Sequence, residues 1–250
     1  KTYVPDDNFE QALIDLGYDD VLDDSVNTSY VINIGVLNLD DAGINDLTGI
    51  EAFTALQDLN CYNNQLTSLD LSNNTALSEL WCNNNQLTSL DLSNNTALTD
   101  LMCNNNQLTS LDLSQNTALK YLYCIENQLT SLDVSNNTDL IQLICYTNQL
   151  TILDVSNNTA LNRLNCYNNQ LTSLDLSNNT ALSELWCNNN QLTSLDLRNG
   201  NNQAIYTIAD LDLTNNPNLY CIDVDDPVYS AANWLVGQNI SPWTSFSTDC

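Results

Sequence analysis

From Leu56 onward, apolar and polar residues recur in a frame 21 residues long: LSELWCNNNQLTSLDLSNNTA over 77–97 is followed by LTDLMCNNNQLTSLDLSQNTA over 98–118. Seven such segments fill residues 56–197, and Cys61, Cys82, Cys103, Cys124, Cys145, Cys166 and Cys187 mark them without a slip. Inside each segment the apolar positions alternate. In ELWC, Leu80 and Cys82 point one way and Glu79, Trp81 and Asn83 the other, which is the periodicity of a short strand. TSLDL alternates likewise, with Leu90 and Leu92 inward and Asp91 outward, so a second strand-like ladder is predicted on the opposite side. A fixed period of this length is the mark of a solenoid, in which each unit buries its apolar edge only against its neighbours. The expected fold is a mainly-β repeat solenoid with short parallel strands on one or two sides, stacked about 4.8 Å apart. Asn85 and Asn95 head two columns of asparagines at the turns, where an inward amide satisfies buried backbone groups.

The ends depart from this frame, and helix is expected only there. Asp6 or Asp7 is placed to cap an amphipathic helix, DNFEQALIDLG, whose Phe9, Leu13 and Leu16 share a face and whose Gly17 ends it. At the other end Asp226 followed by Pro227 is a helix start for PVYSAANWL, leaving Trp234 and Leu235 to plug the last coil. The chain therefore divides into an N-terminal helical cap with an irregular leading repeat (1–55), seven regular repeats (56–197) and a final irregular repeat with a C-terminal cap (198–250), forming one continuous domain. Cys221 and Cys250 stand outside the period and flank the C-terminal cap, so they are predicted to form a disulfide that closes it.

The first half of each segment reads LxxLxCxxNxL, as in Leu77, Leu80, Cys82, Asn85 and Leu87, and resembles the leucine-rich repeat with cysteine at one inward leucine position. The second half repeats the rhythm at Leu87, Leu90, Leu92 and Asn95, which resembles the nested bacterial class called IRREKO. VLNLDDAGINDLTGIEAFTAL, from Val36 to Leu56, is similar to the longer internalin-type repeat. The pairing of YVPDDNFEQALIDLG at one end with CIDVDDPVYSAANW and FSTDC at the other resembles secreted leucine-rich-repeat proteins of the Bacteroidetes. That resemblance implies a secreted or bacterial cell-surface protein.

Charge and residue types narrow the chemistry. A net charge of −27 with only four basic residues argues against nucleic acid and against anionic membranes, and leaves cations or cationic partners open. No apolar run reaches the length needed to span a bilayer, so membrane insertion is not expected. Lys1 leads directly into TYVPDDNFE with neither a charged n-region nor an apolar h-region, so any signal peptide has been removed or was never included. With no histidine there is no Ser-His or Cys-His nucleophile pair, and no glycine-rich phosphate loop is present. Paired acids such as Glu79 with Glu184 or Asp100 with Glu126 are the one enzymatic pattern, but no cleft is evident to raise a carboxylate pKa, and the protein is read as non-catalytic. The periodic cysteines read as small apolar core residues, since in-register side chains stand too far apart for a comfortable bridge. No cofactor is expected. A metal site on the cysteines would lack converging ligands and any histidine, which leaves calcium on the column Asp70, Asp91, Asp112, Asp133, Asp154, Asp175 and Asp196 or on acid clusters at Asp19, Asp20, Asp23 and Asp24 and at Asp223, Asp225 and Asp226. The alternative for the column is a solvated face whose carboxylates accept hydrogen bonds from residues such as Ser89 and Thr88.

What varies between repeats points to function. LTSLDLSNNTA is nearly constant, whereas the outward strand positions change freely and carry Trp81, Met102, Tyr121, Tyr123, Ile144, Tyr146, Tyr167 and Trp186. Aromatic and apolar side chains on adjacent strands, rimmed by polar ones, describe an interface centre. The expected function is recognition of a protein partner through this face. A glycan ligand stacked on the rings is the alternative, and a structural adhesin or spacer is another. An ice-binding face is a further reading of the threonine column Thr67, Thr88, Thr109 and Thr130.

Overall fold

The computed structural model describes residues 1–205, 210–234 and 237–250. They form two compact units, Lys1–Leu119 and Lys120–Cys250, and both are built as mainly-β solenoid. In the first unit the strands Val36–Asn38, Asp58–Asn60, Glu79–Trp81 and Asp100–Met102 pair in parallel, with Leu37, Leu59, Leu80 and Leu101 in one inward row. In the second, Tyr121–Tyr123, Gln142–Ile144, Arg163–Asn165, Glu184–Trp186 and Leu211–Asp212 pair in the same sense, with Leu122, Leu143, Leu164, Leu185 and Leu211 aligned. The alternation read from the sequence sets this register, because a slip of one residue would turn every leucine outward.

Each strand continues through its cysteine, as Cys61 N–H donating to Trp81 O at 2.8 Å and Cys145 N–H to Asn165 O at 2.9 Å illustrate. Two residues later the backbone turns in the left-handed region, with φ of 54° at Asn63, 55° at Asn84 and 54° at Asn168. Asparagine suits that conformation because its short side chain tolerates it better than other non-glycine residues. The next residue holds the turn together. Asn85 donates through Nδ2 to Cys61 O at 2.9 Å and Cys82 O at 3.1 Å, while its Oδ1 accepts from Leu66 N–H at 3.0 Å. The second column shares only the donor half of this work, Asn95 Nδ2 reaching Leu71 O at 3.1 Å and Asn74 O at 2.9 Å while its buried Oδ1 accepts no hydrogen bond. Both amides are buried, and Asn95 adds a second donor to carbonyls that already accept Asn74 N–H at 3.0 Å and Leu77 N–H at 3.1 Å.

On the opposite side, the last coils of the second unit form the expected second ladder: Ser173–Asp175, Ser194–Leu197, Cys221–Val224 and Ser245–Ser247 run in parallel. The first unit keeps the alternation, with Leu90 and Leu92 buried and Asp91 exposed, but no strand forms there among its described residues. Neighbouring coils are tied instead by single backbone bonds, Gln86 N–H to Leu66 O and Gln107 N–H to Leu87 O, both 2.8 Å.

The N-terminal helix spans Asp7–Asp15, with Asp6 as its cap accepting from Asn8 and Phe9 N–H. The other oxygen of Asp6 accepts from Asn45 and Asp46 N–H, so one carboxylate both starts the helix and fastens it to the leading coil. Phe9 and Leu13 are buried, Phe9 against Phe53, but Leu16 is 43% exposed, contrary to the expected face. The helix has ended by then, Leu16 being the C-cap, and Gly17 follows at φ 79°. The C-terminal helix, Pro227–Asn233, is capped by Asp226 as expected. Beside it Cys221 is joined to Cys250, and Trp234 is buried edge-on to Phe246 at 5.7 Å. Leu235, expected to help plug the end, lies outside the described residues. Among the described residues no helix is long and apolar enough to cross a membrane.

Candidate binding faces of the strand ladders

In the second unit the outward strand positions fall into rows because the register is strict. Tyr123, Ile144, Asn165 and Trp186 form one row, and Tyr121, Gln142, Arg163 and Glu184 another. Just beyond each cysteine, Tyr146 and Tyr167 stack with ring centroids 4.2 Å apart and planes 12° from parallel. The Tyr167 phenol is pushed up from its ordinary pKa, first by burial and then by the Tyr146 phenol and the Glu126 carboxylate. Tyr123 leans across the sheet to donate its hydroxyl to Gln142 Oε1 at 2.7 Å. Tyr121, Tyr123, Tyr146, Tyr167 and Trp186 are all half-buried, leaving ring area to solvent.

Ile144 is a correction. It faces outward in the register, yet it is only 4% exposed, set between Tyr123 and Asn165 on the adjoining strands. A β-branched aliphatic beside a larger ring becomes filler, so the outward direction did not make it accessible.

Two polar residues that the apolar pattern did not single out shape this face. Arg163 lies with its guanidinium carbon 4.9 Å from the centre of the Trp186 ring, and its Nε stands 3.1 Å from Glu184 Oε2 as an ion pair without hydrogen-bond alignment. Glu126 takes the left-handed turn position that asparagine fills in most coils, at φ 51°. The signal for Arg163 was present in the sequence: it is the one basic residue in the row Asp58, Glu79, Asp100, Tyr121, Gln142, Arg163 and Glu184.

The first unit carries Trp81 and Met102 on its own face, Trp81 39% exposed and Met102 half-buried. Beside Trp81 opens a cleft of about 300 Å³ lined by Val36, Asn38, Asp58, Asn60 and Glu79. Glu79 sits in register between Asp58 and Asp100, and burial together with repulsion from those two raises its pKa above the ordinary value.

The paired acids considered for hydrolysis are not brought together within either unit, since Glu79 and Asp100 belong to the first and Glu184 and Glu126 to the second. The outward aspartates accept hydrogen bonds from nearby serines, as expected, but from other serines than the example Ser89. Asp70, Asp91, Asp133 and Asp154 each accept from the backbone N–H of the serine two residues on, at 2.9 Å, rather than from Ser89 or Thr88. Hydrogen bonding by the same serines lowers these carboxyls from their ordinary pKa, led by the Ser135 hydroxyl for Asp133 and by the backbone N–H and then the hydroxyl for Asp70, Asp91 and Asp154. In the caps, Asp23 pairs with Lys1 and Ser25, Asp223 accepts from Cys250 N–H, and Asp226 caps its helix. Among the described residues no three acid, cysteine or histidine side chains converge as a metal site. The seven periodic cysteines are buried thiols.

Comparison with solved structures places this architecture. The functional domain of InlJ from Listeria monocytogenes, described as including a cysteine ladder, is 38% identical over 88% of this chain and 50% of its own, with a TM-score of 0.77. The fold is a leucine-rich-repeat solenoid. Internalin C2 from the same species matches at 22% identity over 89% of this chain and 97% of its own (TM-score 0.70), a likeness of fold alone. A leucine-rich-repeat protein of Leptospira interrogans matches at 25% identity over 80% of this chain and 50% of its own (TM-score 0.57). These neighbours are bacterial leucine-rich-repeat proteins, and the chain spans about half the length of the InlJ domain. The LVIVD repeat family matches residues 143–169 only, and no curated protein matches the chain. In this leucine-rich-repeat chain one cysteine recurs in each 21-residue repeat, and the InlJ domain is described as including a cysteine ladder.

Proposed function

We propose that this leucine-rich-repeat chain is a non-catalytic binding module, secreted or held at a bacterial cell surface, that recognises a protein partner through the outward aromatic side chains of its strands. The observation that carries the reading is the Tyr146–Tyr167 stack: two half-buried rings, held parallel on coils whose remaining sequence is nearly invariant. A scaffold that repeats its interior and varies only its outward row has freed that row for recognition, and solenoids offer extended surfaces for it. Rigid aromatic rings lose little conformational freedom on binding and are favoured as interface anchors. Tyr121, Tyr123 and Trp186 extend the surface in the second unit, and Trp81 and Met102 give the first unit a surface of its own. The Cys221–Cys250 disulfide supports an oxidising location outside the cytosol. The nested 21-residue repeat and the likeness of both ends to secreted Bacteroidetes proteins support the same location.

The test is capture of native surface and secreted proteins on immobilised wild type and on a Tyr146→Ala/Tyr167→Ala variant, followed by affinity measurement for whatever is retained. Loss of two anchors should weaken binding by at least about 30-fold. Equal affinity of variant and wild type would remove this site. Binding on a glycan array that the variant loses would transfer the site to a sugar ligand, and cell attachment untouched by the double substitution would favour a spacer.

A further inference from the structure

The chain contains the same sequence twice, from Leu77 to Leu92 and from Leu182 to Leu197. Both copies present a glutamate and a tryptophan on the outward face, Glu79 with Trp81 and Glu184 with Trp186. Both tryptophans stand in register beside a short asparagine of the preceding strand, Asn60 and Asn165. The following strand sets Met102 beside Trp81 and Asp212 beside Trp186, and the preceding strand differs at one position. Opposite Glu184 the preceding strand supplies Arg163, whereas opposite Glu79 it supplies Asp58.

The consequence is visible in the side chains. In the second unit the guanidinium of Arg163 covers Trp186 and pairs with Glu184, so the molecule fills its own platform. In the first unit the same platform has no such cation, an additional carboxylate faces it, and the space beside Trp81 is the cleft of about 300 Å³ floored by Asn38 and Asn60 and flanked by Val36, itself 62% exposed. We propose that this cleft is a receptor for an arginine side chain of the partner protein, with the guanidinium stacked on Trp81 and its N–H groups donated to Glu79 and Asp58.

Three considerations favour arginine. The planar guanidinium stacks on an indole and donates in two directions at once, which an ammonium group cannot do. The Glu79 pKa is raised by burial and by repulsion from Asp58 and Asp100, and an arriving cation offsets the repulsion. A chain of net charge −27 also draws basic partners by long-range attraction. The proposal rests on reading the outward strand face as a binding surface, but it concerns residues that the tyrosine substitutions do not touch.

The experiment uses the whole chain and the peptide acetyl-Gly-Arg-Gly-amide, followed through the Trp81 indole N–H resonance, assigned with Trp81→Phe. The expected result is a saturable shift with a dissociation constant of order 10 mM, weakened about fivefold by Glu79→Gln and at least as much when lysine replaces arginine in the peptide. The citrulline peptide, matched in shape but uncharged, should produce no saturable shift. Asp58→Arg is the decisive variant, because Arg163 shows that the scaffold accepts arginine there. It should fold normally, move the Trp81 resonance without peptide, and abolish the response to peptide. Equal response to arginine and citrulline, no saturable shift up to roughly 50 mM peptide, or wild-type binding by Asp58→Arg would each overturn the proposal. The Tyr146→Ala/Tyr167→Ala variant should leave this titration unchanged, so failure here and failure of the tyrosine surface are separable.

Discussion

Two residues beyond each strand cysteine, the backbone enters the left-handed region, and most coils place asparagine there. Thr147 occupies that position at φ 56°, next to the stacked Tyr146. A β-branched side chain at positive φ crowds its own backbone, and the cost is on the order of 1 kcal/mol. The exposed amide ladder is also altered there: Asn105 reaches Asn84 Oδ1 at 2.6 Å, whereas Asn168 reaches Thr147 Oγ1 at 3.2 Å. Thr147→Asn should therefore raise stability by about 1 kcal/mol, read as a higher urea midpoint at unchanged slope. An unchanged or lowered midpoint would show that the coil already accommodates threonine without strain. At this scale the cysteine period told the inward positions correctly, and the inward asparagines followed from it. Exposure was less legible, because whether an outward side chain reaches solvent depends on the size of its cross-strand neighbours, as Ile144 shows.

At the scale of the element, the N-terminal helix has a device that hydrophobic patterning hides. Glu10 is fully buried, and its two carboxylate oxygens accept from the backbone N–H groups of Asp23, Asp24 and Ser25 at 2.8 to 3.0 Å. An acid between Phe9 and Gln11 reads as part of a solvated helix face, since its partners are amides in a segment with no residue-type signature of the contact. The capping aspartates were legible for the opposite reason, their partners lying two and three residues away. Glu10→Ala should destabilise the protein by about 3 kcal/mol, because it orphans buried donors, and Glu10→Gln by somewhat less. Hydrogen exchange at residues 23–25 should quicken in both variants while the strand amides of Leu143 and Leu164 keep their protection. No change at residues 23–25 would mean that the carboxylate does not hold this segment.

For the whole molecule, sulfur chemistry is divided cleanly between core and cap. Burial pushes the Cys61, Cys103 and Cys166 thiols up to about 12, and those of Cys82, Cys145 and Cys187 well above their ordinary value. A thiol reagent at pH 8 should find no reactive group in the native protein and seven after denaturation without reductant. A smaller denatured count would mean bridges within the ladder. Reducing Cys221–Cys250, which closes a 29-residue separation, should cost about 3 kcal/mol. Within each unit the strand ladder has another consequence, for the way the chain finds its fold. Most strand partners are about 21 residues apart, so each needs only the next short stretch of chain to complete its pairing. Relative to 250 residues that separation is roughly 0.08, the range of fast helical proteins rather than of most sheets. A parallel sheet usually folds slowly because distant segments must meet. Here assembly can proceed coil by coil, with each completed turn templating its successor while the rest of the chain is still unformed.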